Sequence, residues 1–336
     1  MNNLYLKISQ NYNIIDLNNI KFYNNHYLKN TNEFNNYIPS LDTINNKTSY
    51  IGKEFNKLEN LLTFNFNIDR FSLNVYIYCN INDKIKLLIK TSLKRIITMF
   101  ITFKNNIISN HYNITLLLYN APRYINKKYD MEYFYEENIF NCACGWYNEN
   151  KNEVIVSRLN GLLGLLTHEL CHLSHLDFGN YNLFKEYEKL FNSFSNSNAG
   201  YFIEGINNAI STLIHCIFLS LEENKNIKEF LINEYKHSLN QCKLLLFYYD
   251  CKDFKELLKT KKYKQNGQVF EYVFLKHIYL SNFNILYHLD NNFKNKFNEN
   301  DYYNLFLQYF YKFNIINDLN KNLKNKNLNM EYYFYS

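Results

Sequence analysis

The sequence predicts an α+β fold, in which a first part holds a small mixed β-sheet and a second part is mostly α-helical. Apolar and polar residues alternate over 62–68 and again over 71–79, as is typical of half-buried strands. After Gly164 the apolar residues recur every three or four positions, and no proline follows Pro122. The second pattern is typical of long, uninterrupted helices.

Further elements complete the first part. Asp83 precedes apolar residues at helical spacing as far as Ile101, which predicts a long helix entered at a capping carboxylate. A strand follows at about 114–119. Trp146-Tyr147 and the β-branched stretch Glu153–Ser157 flank a turn at 148–152 and predict a hairpin.

Helical spacing continues along the rest of the chain, at about 162–177, 184–193, 201–222, 225–238, 270–289 and 301–314. We therefore expect three regions. Residues 1–60 are rich in Asn and form a loosely structured or peripheral segment. Residues 61–222 form a domain of strands and helices, and residues 223–336 form a helical domain.

The composition is informative mainly for what it excludes. Asn, Lys, Ile, Tyr and Phe are abundant, a bias that A/T-rich codons produce throughout a proteome. The 32 Tyr, the 28 Phe and the net charge of +6 therefore do not indicate a nucleic-acid surface. Lysines are scattered among Asn and acidic residues, and arginine is scarce, so no nucleic-acid partner is expected.

The cysteines and the apolar runs bear on location. Seven cysteines without a framework spacing favour free thiols in a reducing compartment. The first twenty residues lack an apolar run of signal-peptide length. The longest apolar stretch, about 209–221, contains His215 and is too short to cross a bilayer. These features predict a soluble protein of the cytoplasm or of a host cell interior, with no transmembrane segment.

The residues best suited to bind a metal ion and to transfer protons form one motif, His-Glu-x-x-His, at His168, Glu169 and His172. On a helix, residues four apart share a face, so both imidazoles can reach one ion. Apolar neighbours mark this helix as buried, and buried imidazoles and carboxylates need partners or a metal. Zinc with three protein ligands and an open position is catalytic, and Glu169 is placed to accept a proton from water. One zinc ion per chain is predicted.

The third ligand is predicted to be Glu204, a carboxylate in an otherwise apolar helix segment whose burial a divalent cation would compensate. Asn208, one turn further along, is predicted to orient a ligand histidine. His175 is the alternative ligand, although on a continuous helix its ring would point away from His168 and His172. Asp177, five residues after His172, fits neither a ligand position on the helix face nor one in a glycine turn. Gly179 is predicted to be the C-cap of the motif helix.

The motif with a downstream glutamate on a second helix resembles the gluzincin group of zincin metallopeptidases, over about residues 84–222. The longer gluzincin signature Asn-Glu-x-x-Ser-Asp is replaced here by Ile203-Glu204-Gly205-Ile206-Asn207-Asn208. The metzincin pattern is excluded, because Phe178 stands where its third histidine belongs.

The resemblance implies that residues 61–222 are a zincin-like catalytic domain. The edge strand of its sheet, either Glu153–Ser157 or its hairpin partner, would bind a peptide substrate by strand addition. The resemblance further implies peptide hydrolysis, with Glu169 as general base and then acid. A Tyr or His from the helical part usually supports the oxyanion, and Tyr287 and His288 are both candidates.

Other interpretations stay open at this point. A catalytically idle zincin-like module could bind a protein partner, and a zinc hydrolase could act on a non-peptide bond. The pair Cys142 and Cys144 is a weak signal for a second metal site. Cys171, beside His172, would act as a nucleophile only if its thiol were exposed.

Overall fold

The computed structural model describes residues 2–18, 26–27, 55, 57–120, 145–176, 202–260, 271–282 and 307–316. The helices named here are α1 Asn2–Ile14, α2 Asp83–Thr102, α3 Leu162–Leu173, α4 Phe202–Glu223, α5 Ile227–Tyr248, α6 Phe254–Thr260 and α7 Lys276–Leu280. Residues 307–312 are helical as well. The strands are β1 His26–Tyr27, β2 Asn60–Ile68, β3 Phe71–Cys79, β4 His111–Leu117, β5 Gly145–Asn148 and β6 Glu153–Ser157. A 3₁₀ turn covers Glu149–Lys151, and a π-helical turn covers Glu271–Leu275 directly before α7.

The chain divides into two compact units. The sheet unit comprises Leu6–Pro122 and Asn141–Leu176, and the helical unit comprises Met1–Tyr5, Arg123–Phe140 and Asp177–Ser336. The mixed α+β class predicted from the sequence is confirmed. The predicted domain boundaries at residues 60 and 222 stay predictions.

The sheet has the order β1-β2-β3-β4-β6-β5. The hairpin β2-β3 is antiparallel, β4 lies parallel to both β3 and β6, and β5 returns antiparallel to β6. The predicted hairpin of Trp146-Tyr147 with 153–157 is therefore confirmed, with Trp146 opposite Ile155. Of the two strands of this hairpin, β5 lies at an edge of the sheet that the described residues form, because β6 is enclosed between β4 and β5.

Both faces of the sheet carry apolar side chains. On one face, residues with no measurable exposure alternate along three strands: Leu73, Val75, Ile77, Ile114, Leu116, Val154 and Val156. The opposite face contributes to a second cluster, formed by Phe55, Leu58, Leu61, Tyr78, Leu117, Tyr119 and Ile155. Burial on both faces matches the apolar runs of β4 and β6, whereas β3 alternates apolar and polar residues over most of its length.

Helix α2 connects the parallel strands β3 and β4 and begins one residue earlier than the predicted cap implies. Asn82, rather than Asp83, is the N-cap, and its side-chain oxygen accepts a hydrogen bond from the Ile85 amide at 2.9 Å. Asp83 is the first helical residue and pairs with Lys86 at 3.1 Å on the exposed side. The predicted carboxylate cap is thus wrong by one residue, since an amide oxygen in the preceding position serves equally well.

The Asn-rich N-terminal segment begins with a helix that its weak periodicity did not predict. Leu4, Ile8 and Tyr12 are buried at a spacing of four residues. The Lys94 ammonium of α2 lies 4.0 Å from the Tyr12 ring centroid, and Asn11 donates to the Thr102 hydroxyl at 2.9 Å. These contacts attach the helix to α2 within the sheet unit.

The helical unit is built around α4, which is buried from Gly205 to Ser220. Helix α5 begins at the N-cap Asn226 and runs to Tyr248, well beyond the predicted end at 238. Its extension is explained by Cys242, Leu245 and Leu246, which have no measurable exposure and continue the buried face. The described parts of the two remaining predicted helices, 271–280 and 307–312, are helical.

Among the described residues, no helix is long and apolar enough to cross a membrane. The predicted helix at 184–193 lies outside the described residues.

Candidate metal centre

The motif helix α3 starts directly after a backbone reversal. Gly161 adopts φ 74°, a left-handed conformation in which a side chain would be strained, and the helix begins at Leu162. The first turn is fixed by Arg95 of α2, which has no measurable exposure. Its guanidinium donates to the Leu163 carbonyl at 3.1 Å and to the Thr167 hydroxyl at 3.4 Å. The buried Arg95 guanidinium thereby fixes the position of Thr167, the residue directly before His168.

The motif helix ends at Leu173, several residues short of the predicted end at 177. The His175 amide donates to the His172 carbonyl at 2.9 Å, and the Leu176 amide donates to the Cys171 carbonyl at 3.1 Å. This pair of bonds is a Schellman motif, in which His175 occupies the left-handed position with φ 48°. The predicted C-cap Gly179 lies outside the described residues, and Ser174 takes that role.

The two motif histidines meet as the helix spacing predicts. Their Nε2 atoms lie 3.2 Å apart, with the ring planes inclined at 77°. Two nitrogens bound at about 2.0–2.1 Å to a tetrahedral zinc ion are separated by about 3.3 Å. The observed separation therefore suits a shared cation, and it also suits one hydrogen bond between the rings.

Glu204 joins this pair. One nitrogen of His168, one of His172 and one carboxylate oxygen of Glu204 all lie within 4.8 Å of one another. His168 is buried, whereas His172 and Glu204 are half-buried. The three side chains could therefore hold a metal ion, and two imidazoles with one carboxylate are a ligand set that zinc accepts.

The alternative ligand His175 does not belong to this group. Because the helix has already ended, its ring turns toward β5, where it meets the Tyr147 ring edge-on at a centroid distance of 6.4 Å. Asp177, the other residue considered, lies outside the described residues, as does Phe178.

Glu169 is buried, with 5 % of its surface exposed, and lies against the edge strand. A methyl group added at Gly145 would come within 2.7 Å of the Glu169 Cγ atom. The absence of a side chain at the first residue of β5 thus leaves the space that the Glu169 side chain occupies.

Within the helical unit, Glu204 is held by the π-helical turn. The Tyr272 hydroxyl donates to Glu204 Oε2 at 3.1 Å, and the Asn208 side-chain amide donates to the Tyr272 carbonyl at 3.2 Å. Asn208 therefore contacts the backbone beside Glu204. Its predicted bond to a ligand histidine stays a prediction.

Three contributors to this centre were not predicted, namely Arg95, Gly145 and Tyr272. Gly145 stood in a recognisable position, as a glycine opening the predicted hairpin strand. Arg95 and Tyr272 occupy helical positions like many others, and only the tertiary fold brings them to the motif helix or to Glu204.

The cysteines in the described part of the chain are free thiols, at Cys79, Cys171, Cys216, Cys242 and Cys251. All five are buried. Burial raises the pKa of Cys79 to about 12 and raises the pKa of Cys242 as well. The buried position of Cys171 removes the exposure that a nucleophilic role would need. Cys142, Cys144, Tyr287 and His288 lie outside the described residues.

Comparison of the chain with protein-family models, with curated proteins and with solved structures gives no match.

Proposed function

We propose that the protein is a zinc-dependent metallopeptidase, with His168, His172 and Glu204 as ligands and Glu169 as the catalytic acid and base. The zincin-like, gluzincin-like character of the fold belongs to the same proposal. The observation that carries it is the pair of His168 and His172 Nε2 atoms 3.2 Å apart, with a carboxylate as third donor and a glutamate between the histidines.

The donor set favours a catalytic over a purely structural site. Three protein donors leave a fourth tetrahedral position open, and two of the three are half-buried rather than enclosed. A zinc ion bound there would act as a Lewis acid toward water and a substrate carbonyl.

Glu169 supplies the proton transfers. Its carboxylate accepts a proton from the attacking water and donates it to the departing amine, so that the residue returns to its starting state. Burial against Gly145 holds the side chain in one region, which limits the reorganisation needed for each transfer.

A peptide is the favoured substrate because of strand β5. Among the described residues it is one of the two edge strands of the sheet, and it lies beside the Glu169 side chain. An extended peptide paired with an edge strand would lie with its backbone alongside the motif helix, and strand addition is a common mode of peptide recognition.

The test combines metal analysis with one conservative substitution. We expect the purified protein to contain about one zinc per chain and to cleave members of a peptide library. Glu169→Gln should retain zinc and lose about 100-fold or more in kcat/KM, the usual contribution of a general base. Glu149→Gln, on the exposed turn after β5, is the matched control and should behave as wild type.

Two outcomes would contradict the proposal: wild-type protein that binds no stoichiometric zinc, or a Glu169→Gln variant as active as wild type. Capture of a protein partner by both proteins, without any cleavage, would favour an idle binding module instead. Cleavage of ester or amide substrates in place of peptides would favour a zinc hydrolase of another bond.

A further inference from the structure

We propose that Tyr272 is a positioning residue for the metal centre, acting through the carboxylate of Glu204. The inference deepens the proposed function and rests on the zinc site described there. It starts from the 3.1 Å hydrogen bond that the Tyr272 hydroxyl donates to Glu204 Oε2.

The Tyr272 hydroxyl donates to only one of the two carboxylate oxygens of Glu204, Oε2. The donor on Oε2 limits rotation about the last torsion of the Glu204 side chain. Oε1 is then the oxygen available to a cation. A ligand carboxylate without such a partner would sample several orientations, and ordering it would weaken metal binding.

Tyr272 is itself held tightly in place. Its carbonyl accepts from the Asn208 amide at 3.2 Å, and Asn208 lies one helical turn after Glu204 on α4. Between them, Gly205 lies so close to the π-helical turn that a methyl group there would be 2.6 Å from Leu275 Cδ1. Helix α4 therefore contacts the same short segment at three positions, Glu204, Gly205 and Asn208.

That segment is a π-helical turn, Glu271–Leu275. A π turn adds one residue to the helical repeat and changes the direction of the side chains that follow, and such turns are frequent at functional sites. Here the turn carries the Tyr272 hydroxyl to Glu204 and the Leu275 side chain to Gly205.

The test removes only the hydroxyl. Tyr272→Phe should weaken zinc affinity about 10- to 100-fold, measured by competition with a chromophoric chelator. Tyr235→Phe, the same change at a phenol on α5 that is 38 % exposed, is the control and should leave the affinity unchanged. The cobalt-substituted protein provides a second readout, since a reoriented carboxylate should alter its visible absorption bands.

A double-mutant cycle separates positioning from a general structural effect. If Tyr272 acts through Glu204, Tyr272→Phe should have no further effect on zinc affinity in a Glu204→Ala background. An equal loss in both backgrounds would overturn the inference, as would zinc affinity that stays at the wild-type value. Activity that falls while zinc affinity is unchanged would likewise overturn it, because the phenol would then act on the substrate. Absence of zinc from the wild-type protein would instead refute the proposed function itself.

Discussion

His277, on α7 of the helical unit, has surroundings that disfavour its charged form. It is 2 % exposed, and its Nδ1 lies 2.7 Å from the Ser238 hydroxyl oxygen. Its ring faces the rings of Tyr235 and Phe313 at centroid distances of 5.0 and 5.8 Å. Burial, and to a smaller extent the charge of Lys276, lower its pKa from 6.5 to about 4. The folded protein therefore holds this imidazole neutral.

We expect His277 to make the protein less stable in acid. Between pH 6.5 and pH 4 the unfolded chain gains a proton at this residue that the folded chain does not. The free energy of unfolding therefore falls as the pH is lowered through this window, by about 3 kcal/mol in total. Above pH 6.5 the contribution is fully present.

Denaturant unfolding of wild type and His277→Asn at several pH values tests this, since the asparagine amide can still bond Ser238. The stability difference between the two proteins should move in favour of the variant as the pH falls from 6.5 to 4. It should stay constant between pH 7 and pH 8. Parallel pH profiles throughout would contradict the expectation.

At the scale of elements, the contact of β5 with α3 determines where Glu169 lies. Gly145→Ala would place a methyl group 2.7 Å from Glu169 Cγ and 2.8 Å from its Cδ, so the glutamate side chain must move. We expect kcat to fall about 10- to 100-fold, because small misplacements of a catalytic group are costly. Zinc content should be unchanged, since His168 and His172 are untouched.

Measuring kcat and zinc content on the same preparation distinguishes this effect from unfolding. A variant that keeps full activity would show that Glu169 adjusts freely. A variant that loses zinc in parallel with activity would show that the whole motif helix had shifted. Either result contradicts a specific role for the space at Gly145.

The ends of elements were less predictable than their existence. Alternation placed β2 and β3, and helical spacing placed α2, α3 and α4, because these patterns record which face is buried. The end of α3 depended on a Schellman motif in which a histidine takes the left-handed position, a role for which glycine is the usual signal. The length of α5 depended on what its last turns contact, which the local sequence does not contain.

At the scale of the whole molecule, some residues of the candidate site were predictable from the sequence and others were not. The approach of His168 and His172 follows from helix geometry alone and was predictable from their spacing. Glu204 was predictable as a carboxylate that an apolar helix must accommodate. Tyr272 and Arg95 were not, because each reaches its contact through the packing of distant segments rather than through a local pattern.

A metal that binds the folded chain and not the unfolded one must raise the stability of the whole protein by mass action. At free zinc about 100 times the dissociation constant, the gain is about 2.7 kcal/mol, and each further tenfold adds about 1.4 kcal/mol. We expect the midpoint of thermal unfolding to rise with the logarithm of free zinc, starting from protein stripped with a chelator. Scanning calorimetry in zinc buffers provides the measurement.

The ligand variants make this experiment specific to the proposed centre. His168→Ala should abolish the zinc-dependent rise, whereas Glu204→Ala should retain a smaller one, because the two imidazoles remain 3.2 Å apart. Magnesium, which prefers oxygen donors, should have little effect on any of the proteins. A rise that persists in His168→Ala would place the stabilising ion elsewhere on the chain. A wild-type midpoint independent of zinc would contradict a zinc centre at the two histidines.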